Sequence, residues 1–475
     1  MNYLIMRAKL IHIALLAACA TITYTAAFSQ SIGNKEMKEL ESSFKQDGSS
    51  TALQNILTTR SDFDALSENI SKRQSMDEHV KYQVNIGSIN DQKNSGRCWM
   101  FSCMNSLRAG VMNKLNVEDF DFSHNFNYFY DMLEKCNLFM EEMIENAYKP
   151  IDDREVVKYL SRPITDGGVW NIFYAEVTKY GVVPKDIMPE TAVSDNDGQL
   201  LQILKKILRK GAWDVRSIAE SGVKKDLAHK EMEEKKISVL KDVYRVLALS
   251  LGNPPKEFEW RYKDKAGSEK IFKGTPKEFY ASIAPKDYNP DNYIMITNDP
   301  GKEYYKIYEV KNYKSIIEGF NWTYLNLPYS DIKSAALKSI KNGEGMYVTI
   351  DSDEDADKST GAGVLETGLY DYSSLLGVNM EMDRKSMILT RQISSTHAIL
   401  LMGCDTDAND VPTKWKFEDS FGLSRGRSGF LLMSDKWFET YTFRMVVNKK
   451  YLGEKAVKAL GQNPILVPVW DYMMF

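Results

Sequence analysis

The sequence predicts an α+β fold in which helical and strand patterns occupy different parts of the chain. Apolar residues recur at three-to-four spacing after Cys98, the period of a buried helix face. A charged stretch at 200–251 has helical composition and is expected to form a solvated helical surface or an assembly arm. Short apolar runs within 398–447, separated by polar turns, are typical of antiparallel strands. This segregation is characteristic of α+β proteins.

Each element has its own local signal. The segment 35–75 is polar and helix-prone, and the turn at 94–96 comes directly before the helix that we expect to begin near Cys98. The apolar residues of that helix are Met100, Phe101, Met104, Leu107 and Val111. The strands of the last third are expected at 398–402, 430–433 and 443–447.

Composition describes a folded protein with a large core. The chain has 475 residues, of which 43% are hydrophobic and 27% charged, and this length suggests about three domains or one catalytic domain with large insertions. Five cysteines are too few for a disulfide framework, and none lies in a CxxC pair of the zinc type. With 61 basic and 65 acidic side chains the net charge is -4, so no nucleic-acid partner is expected.

The first residues have the layout of a secretory signal peptide. Arg7 and Lys9 precede an apolar run at 10–20, and small residues follow it. We therefore expect residues 1–29 to be removed and the protein to be exported to the periplasm, the cell envelope or the medium. A second interpretation is a lipoprotein signal with Cys19 as the acylated residue, which would anchor the protein to a membrane.

Two acidic runs, beginning at Asp351 and Asp405, only partly fit calcium loops. The first has Ala356 where the turn needs glycine and Ala362 where a glutamate should close the shell. The second has Lys416 at the closing position. We expect neither run to hold a metal.

Cys98 carries the strongest chemical signal. A cysteine at a helix start lies where unpaired backbone N–H groups and the helix dipole favour an anion, which predicts a reactive thiolate. Gln92, across a glycine-containing turn, could form an oxyanion hole with the backbone N–H of Cys98. On its own, a cysteine beside Trp99 at a helix start is more often buried packing than a nucleophile.

His397 can supply the base that a nucleophilic cysteine needs. It begins an apolar run that enters a polar turn, and Trp415 lies in the expected antiparallel return. A hairpin centred near residue 408 would place His397 opposite Asp419, whose carboxylate would fix the tautomer of the imidazole. The alternative is a strand histidine and an unrelated turn aspartate.

Three segments together resemble the bleomycin hydrolase and aminopeptidase C family of papain-like cysteine aminopeptidases. They are QKNSGRCW at 92–99, STHAILLMG at 395–403 and KWKFEDSFG at 414–422. Further matching segments follow in order, including DGGVWNIF at 166–173, YGVVPKDIMPET at 180–191, MSDKWF at 433–438 and PILVPVWD at 464–471. The likeness extends over essentially the whole mature chain and is weakest at 30–75 and 200–260.

The resemblance implies a papain-like fold and assigns roles by position. Cys98 matches the nucleophile on the helical lobe, His397 the general base on the sheet lobe, and Gln92 the oxyanion-hole glutamine. Gly167 and Gly168 match the wall that receives the substrate backbone. The implied function is an aminopeptidase that works on peptides through a Cys98 thioester, without a metal or organic cofactor.

The resemblance also implies an assembly and a domain order. The family forms a hexamer with inward-facing active sites, and its C-terminal tail, here ending at Phe475, closes one side of the cleft and holds the substrate's amino group. The expected regions are an N-terminal segment and helical lobe at 30–190, an inserted helical or hook-like assembly region at 191–330, a β-lobe at 331–463 and a tail at 464–475.

Three departures from the family pattern leave alternatives open. Asp419 stands where the family has Asn, and Phe421 replaces a Trp. The tail ends with bulkier residues than the family's small-residue ending, and a signal peptide is unusual in a mainly intracellular family. The alternatives are a papain-like endopeptidase with an open cleft and a catalytically silent peptide-binding or assembly protein.

Overall fold

The computed structural model describes residues 31–474, so the predicted signal peptide, Cys19 and Phe475 lie outside the described residues. The chain divides into two compact units, one up to Ala65 and one from Leu66 onward. The predicted site residues that the structure describes all belong to the second unit. Within residues 31–474, no helix is both long enough and apolar enough to cross a membrane.

Helices are found mainly in the first 283 residues. They are α1 (Asn34–Ser43), α2 (Gly48–Leu57), α3 (Phe63–Ser67), α4 (Ile70–Gln74), α5 (Cys98–Leu115), α6 (His124–Glu145), α7 (Arg154–Ser161), α8 (Trp170–Tyr180), α9 (Gly198–Glu220), α10 (Lys225–Leu251), α11 (Pro276–Ile283), α12 (Tyr329–Lys341), α13 (Tyr372–Leu376), α14 (Arg384–Thr390), α15 (Asp435–Tyr441) and α16 (Glu454–Ala459). Single 3₁₀ turns occupy Lys185–Ile187, Lys449–Tyr451 and Tyr472–Met474.

The strands form one large mixed sheet and one separate hairpin. They are β1 (Tyr82–Gln83), β2 (Phe258–Lys263), β3 (Glu269–Gly274), β4 (Tyr293–Thr297), β5 (Lys306–Val310), β6 (Thr323–Asn326), β7 (Met346–Ile350), β8 (Ala356–Asp357), β9 (Val364–Leu365), β10 (His397–Thr406), β11 (Pro412–Glu418), β12 (Phe430–Ser434), β13 (Thr442–Asn448) and β14 (Ile465–Val467). The main sheet runs β14-β5-β6-β4-β13-β7-β10-β11-β12-β9-β8, with β1 also on β10, and β2 pairs with β3.

The centre of the sheet is buried on both faces. Every residue of β7 and β13 is buried, as are the first eight of β10. Strands β7 and β10 are largely apolar runs, and β13 buries Arg444 along with its apolar residues. Helix α5 packs against β10 and β7, and the Ser102 hydroxyl donates a 2.7 Å hydrogen bond to the Ile399 carbonyl. This packing brings the start of α5 next to the start of β10.

The predicted hairpin forms, but its predicted register is wrong. In β10 and β11, Leu400 pairs with Glu418 and Cys404 with Trp415, and the register shifts between Leu401 and Gly403. The turn therefore closes later than residue 408. His397 pairs instead with Ile350 of β7, as the first residue of β10.

The expected helix at Cys98, the helices of 200–251 and the three strands of the last third are all present. The region 191–330 differs from expectation in its second half. Helices α9 and α10 pack on each other and on α6, but β4, β5 and β6 at 293–326 belong to the main sheet, where β4 pairs with β13. Their short apolar runs follow a long helical stretch, and only tertiary pairing reveals that they extend the sheet.

Candidate active site

Cys98 is the first residue of α5, as expected. No side chain caps this helix start, so first-turn backbone N–H groups are available to an anion in front of the helix. The thiol is free and only partly buried, and its sulfur lies 4.0 Å from the Gly96 carbonyl oxygen. The other free thiols of the described residues, Cys103, Cys136 and Cys404, are buried. Cys98 is thus the accessible thiol of this set.

The chain before Cys98 is held by buried polar contacts. The Gly96 N–H donates a 2.5 Å hydrogen bond to Asp166 Oδ2. Arg97, whose side chain is fully buried, forms a 2.8 Å ion pair with Glu190 and donates to the Ser194 carbonyl. Neither the Asp166 contact nor the Arg97–Glu190 ion pair involves the Cys98 sulfur. Together these contacts fix the backbone that carries it.

Gln92 lies beside this turn and is almost fully buried. Its Nε2 donates a 2.6 Å hydrogen bond to the Ser95 carbonyl, and its Oε1 accepts one of 2.6 Å from the Ser420 hydroxyl. An amide nitrogen carries two hydrogens, so one remains for another acceptor. The two contacts fix the orientation of the amide, as an oxyanion-hole donor requires.

The glycine segment also lies beside α5. A Cβ on Gly168 would come within 2.6 Å of the Trp99 ring, so only glycine fits this close approach. The Trp99 Nε1–H donates a 2.7 Å hydrogen bond to the Asp166 carbonyl, and Lys135 Nζ donates one of 2.7 Å to the Gly167 carbonyl. The structure thereby brings Gly167 and Gly168 next to the helix that starts with Cys98.

His397 and Asp419 meet despite the register error. Residue 419 follows the last residue of β11, and its Oδ1 lies 2.8 Å from His397 Nε2. The Asp419 side chain is fully buried and that of His397 is 6% exposed. This contact leaves Nδ1 of the imidazole as the nitrogen available to Cys98.

The charge state of His397 follows from its neighbours. Burial opposes a charged ring, but the Asp419 carboxylate, together with a hydrogen bond that the ring donates to Cys98, outweighs it and raises the pKa of His397 from 6.5 to about 10. Burial likewise opposes a charged Asp419. The charges of His397 and Arg425 nevertheless hold the pKa of Asp419 below its ordinary value. The pair is therefore an imidazolium and a carboxylate at neutral pH.

Sequence reasoning missed two residues that hold groups of this site in place. Arg425 Nε donates a 3.1 Å hydrogen bond to Asp419 Oδ2, and Ser420 orients Gln92 as described above. The Phe421 ring centroid lies 5.1 Å from that of His397. Ser420 is inside the recognised motif at 414–422, but Arg425 lies in the glycine-rich loop after it, where no local pattern indicates a partner.

The C-terminal segment is tied to the chain just before His397. Arg444 donates one 2.9 Å hydrogen bond to the Met473 carbonyl and another of 2.9 Å to the Ser395 hydroxyl. The Tyr472 hydroxyl donates to the Asp299 carboxylate. Met473 is buried. The end of the described chain is therefore fixed near the start of β10.

Known proteins share this arrangement of the chain. The model of the Peptidase C1-like family matches residues 31–474. Aminopeptidase C of Lactobacillus delbrueckii subsp. lactis is 34% identical over 413 residues, which cover 86% of this chain and 90% of that protein. Human bleomycin hydrolase is 34% identical over 393 residues, covering 81% and 85% respectively.

A solved structure supports the same assignment. The crystal structure of PepW from Lactobacillus rhamnosis HN001 matches with a TM-score of 0.87 and 31% sequence identity, covering 94% of this chain and 99% of that one. The helices and mixed sheet described above accordingly form an α+β papain-like fold. The chain belongs to the Peptidase C1-like family, among the papain-like cysteine aminopeptidases that include aminopeptidase C and bleomycin hydrolase.

Proposed function

We propose that this cysteine peptidase removes amino-terminal residues from peptides through a thioester on Cys98. The observation that carries the proposal is the 2.8 Å hydrogen bond between Asp419 and His397 Nε2, which leaves the other imidazole nitrogen to Cys98. The names of the relatives aminopeptidase C and bleomycin hydrolase support the substrate class.

The proposed reaction is acyl transfer. The Cys98 thiolate attacks the scissile carbonyl carbon, and the oxyanion accepts hydrogen bonds from the backbone N–H of Cys98 and from the free amide hydrogen of Gln92. His397 gives its proton to the leaving amine as the thioester forms. His397 then takes a proton from water, whose oxygen attacks the thioester. The carbon–sulfur bond breaks, which restores the Cys98 thiolate and the His397 imidazolium, and the acid product loses its own proton to solvent.

Removal of N-terminal residues requires one end of the cleft to be closed, and we assign this role to the C-terminal segment. Its anchorage through Arg444 to both Met473 and Ser395 supports the assignment, because Ser395 lies two residues before His397. In this proposal the last residue, Phe475, reaches the substrate's amino group, while Gly167 and Gly168 receive the substrate backbone.

The test uses peptide pairs that differ only in an N-acetyl group, digested and analysed by mass spectrometry. The expected result is stepwise loss of N-terminal residues from the free peptide and no cleavage of the blocked one, with Cys98→Ala as the blank. Internal cleavage of both peptides would instead identify an endopeptidase. An Arg444→Gln variant, which loosens the tail, should gain activity on the blocked peptide if the tail closes the cleft.

A catalytically silent protein is the remaining alternative, and covalent labelling tests it. An epoxide thiol inhibitor should label Cys98 stoichiometrically in the wild type and far more slowly in His397→Ala, because the imidazolium stabilises the attacking thiolate. Equal labelling of both proteins would remove the Cys98–His397 pair from the proposal.

We also propose that the protein is a homo-oligomer, with the hexamer as the expected state. Large apolar side chains on α9 and α10 support this: Trp213 is 66% exposed, Leu227 55% and Leu249 75%. Light scattering during gel filtration measures the mass directly, and Trp213→Lys should shift it toward the monomer. A wild type that remains monomeric at micromolar concentration would contradict the proposal.

Finally, we propose that the protein is exported, on the evidence of the signal-like residues 1–29. Cell fractionation followed by N-terminal mass determination checks this. Cleavage near residue 29 would indicate a soluble exported enzyme, whereas a mature chain that begins with an acylated Cys19 would indicate the anchored form. A full-length chain in the cytoplasm would refute export.

A further inference from the structure

Asp419 carries a charge in a place from which water is excluded. Its side chain is fully buried, one carboxylate oxygen bonds His397, and the other accepts the 3.1 Å hydrogen bond from Arg425 Nε. A buried charge is costly unless it is paired and hydrogen-bonded. Both oxygens of Asp419 have such a partner, and both partners are cations.

The Arg425 N–H donor beside Asp419 Oδ2 suits a carboxylate at position 419 better than an amide. An asparagine that used its oxygen for His397 would turn its NH₂ group toward Arg425, so that two donors would face each other. A carboxylate accepts at both positions. The aspartate at 419 and the arginine at 425 therefore fit together chemically, and either one alone leaves an unmatched group.

Arg425 is held in place independently of this ion pair. Its guanidinium lies over the Phe421 ring, 4.8 Å from the centroid, and its side chain is 30% exposed. The next residue, Gly426, has φ +54°, and its N–H donates a 3.0 Å hydrogen bond to the Lys358 carbonyl. The loop thus folds back so that the arginine lies over the ring that packs against His397.

We propose that Arg425 is a positioning residue of the catalytic pair, whose guanidinium neutralises Asp419 so that a buried carboxylate can orient His397. The inference rests on the proposed function. With a Cys98 thiolate, a His397 imidazolium, Asp419 and Arg425, the set carries two negative and two positive charges. Without Arg425 the set would carry a net negative charge. The imidazolium would then be overstabilised and would protonate the leaving amine less readily.

Other charged groups nearby belong to the segment after β7. Lys358 interacts with both Arg425 and Asp419, and burial together with the charge of Arg425 lowers the pKa of Lys358. Its Nζ lies 3.5 Å from Asp353 Oδ1, so Lys358 has a carboxylate of its own. Arg425, and not Lys358, bonds Asp419 Oδ2, and all the variants tested retain Lys358.

The experiment compares wild type, Asp419→Asn, Arg425→Gln, the double variant and Arg425→Lys. Cys98 is alkylated over a range of pH with iodoacetate and with iodoacetamide, and the modified peptide is quantified by mass spectrometry. The anionic reagent is favoured by a neighbouring imidazolium, whereas the neutral one is not. The pH at which the ratio of the iodoacetate rate to the iodoacetamide rate falls therefore reports loss of the His397 proton. This measurement does not depend on peptide hydrolysis.

The Asp419→Asn substitution leaves Arg425 as an unbalanced cation beside His397. In this variant the midpoint, the pH at which the iodoacetate-to-iodoacetamide rate ratio has fallen by half, should be lower than in wild type by about one pH unit or more. Removing Arg425 as well should move the midpoint back up and restore amide hydrolysis at least about tenfold over Asp419→Asn. Arg425→Gln alone should keep the midpoint at or above the wild-type value while kcat falls roughly fivefold, and Arg425→Lys should retain most of kcat.

The proposal is overturned if the double variant has neither a higher midpoint nor faster amide hydrolysis than Asp419→Asn. It is also overturned if Arg425→Gln lowers the midpoint. A merely structural role for Arg425 would make the double variant the worst of the set. Thermal midpoints of all five proteins identify any variant that fails to fold, and Arg425→Lys then provides the comparison. Failure of the proposed function would appear separately, as a wild type that alkylates normally but hydrolyses no peptide.

Discussion

Cys98 and His397, the proposed catalytic pair, are held by different means. On the Cys98 side, the buried ion pair of Arg97 and Glu190 and the hydrogen bond from Gly96 to Asp166 fix the backbone, and neither involves the Cys98 sulfur. On the other side a buried carboxylate bonds the reacting ring of His397 directly. The proposed nucleophile is thus positioned through chain geometry, and the proposed base through charge.

This difference predicts which property of the enzyme changes when each half is mutated. A backbone held by several neutral and ionic contacts tolerates the loss of one of them better than a ring held by one ion pair does. Changes on the His397 side should therefore alter pH dependence, and changes on the Cys98 side should alter rate without altering pH dependence. Four substitutions test this contrast.

Cys98→Ala should have the largest effect. Removing the sulfur abolishes thioester formation, so hydrolysis of an amino-acid amide should fall at least about 10,000-fold. The fold should be unaffected, because the side chain is small and partly exposed. Steady-state rates and a thermal melt measure both quantities, with Cys103→Ala as the control for loss of a buried thiol. A residual rate above one hundredth of wild type would exclude Cys98 as the nucleophile.

Gln92→Ala should have the next largest effect, because Gln92 bridges the two halves through Ser95 and Ser420. Loss of an oxyanion donor typically lowers kcat by about 10²–10³-fold. KM and the pH profile should change little. Gln83→Ala, at an exposed site where the amide accepts from Lys416, is the matched control. A shifted pH profile in Gln92→Ala would contradict the expectation that changes on the Cys98 side alter the rate without altering its pH dependence.

Glu418→Gln tests the buried carboxyl group next to Asp419. Burial raises the pKa of Glu418 from 4.5 to about 7. The folded state therefore retains a proton that the unfolded chain loses, and stability is lost as pH rises from about 4.5 to 7, by about 2–3 kcal/mol. In Glu418→Gln this part of the pH dependence should disappear.

Denaturant unfolding at pH 5 and pH 8 measures the difference. Glu381→Gln, at an exposed position, serves as the control. An unchanged pH dependence in Glu418→Gln would mean that Glu418 is ionised in the folded protein.

Phe421→Ala should have the smallest effect on activity. The ring covers His397 at 5.1 Å and carries the Arg425 guanidinium, so its removal admits water to the His397–Asp419 hydrogen bond. We expect a loss of about tenfold or less in kcat, with a changed pH profile. The same rate assays measure it, and Phe421→Trp, which keeps an aromatic ring over His397, should retain most of the activity. A loss with an unchanged pH profile would show that the ring acts only by packing.

Much of the site could be predicted from sequence because its signals are local. A turn followed by a helix indicates Cys98, and the apolar run with its polar return indicates His397 and the nearby Asp419. The register of that return was predicted wrongly, because the irregularity between Leu401 and Gly403 leaves no clear mark in the residue pattern. The side chains of His397 and Asp419 are nevertheless in contact, because residue 419 lies just after the end of β11.

The rest depends on tertiary contacts. Arg425 could not be predicted, since its partner is determined by how a glycine-rich loop folds back over Phe421. The strands β4 to β6 were likewise missed, because they are short apolar runs whose partners, such as β13, are distant in the chain. Local patterns thus predict where the reacting groups lie, and tertiary packing determines what holds them.

The bonds of Arg444 to Ser395 and to Met473 have a consequence for local opening of the protein. A tail that separated from the sheet would leave a buried guanidinium without one of its acceptors, and the chain entering β10 would lose support at the same time. Fluctuations of the two segments are therefore coupled, although they are 78 positions apart in sequence. Amide hydrogens at both places should exchange with solvent through one shared opening event, so disorder of the tail would be transmitted directly to the strand that begins with His397, the proposed base.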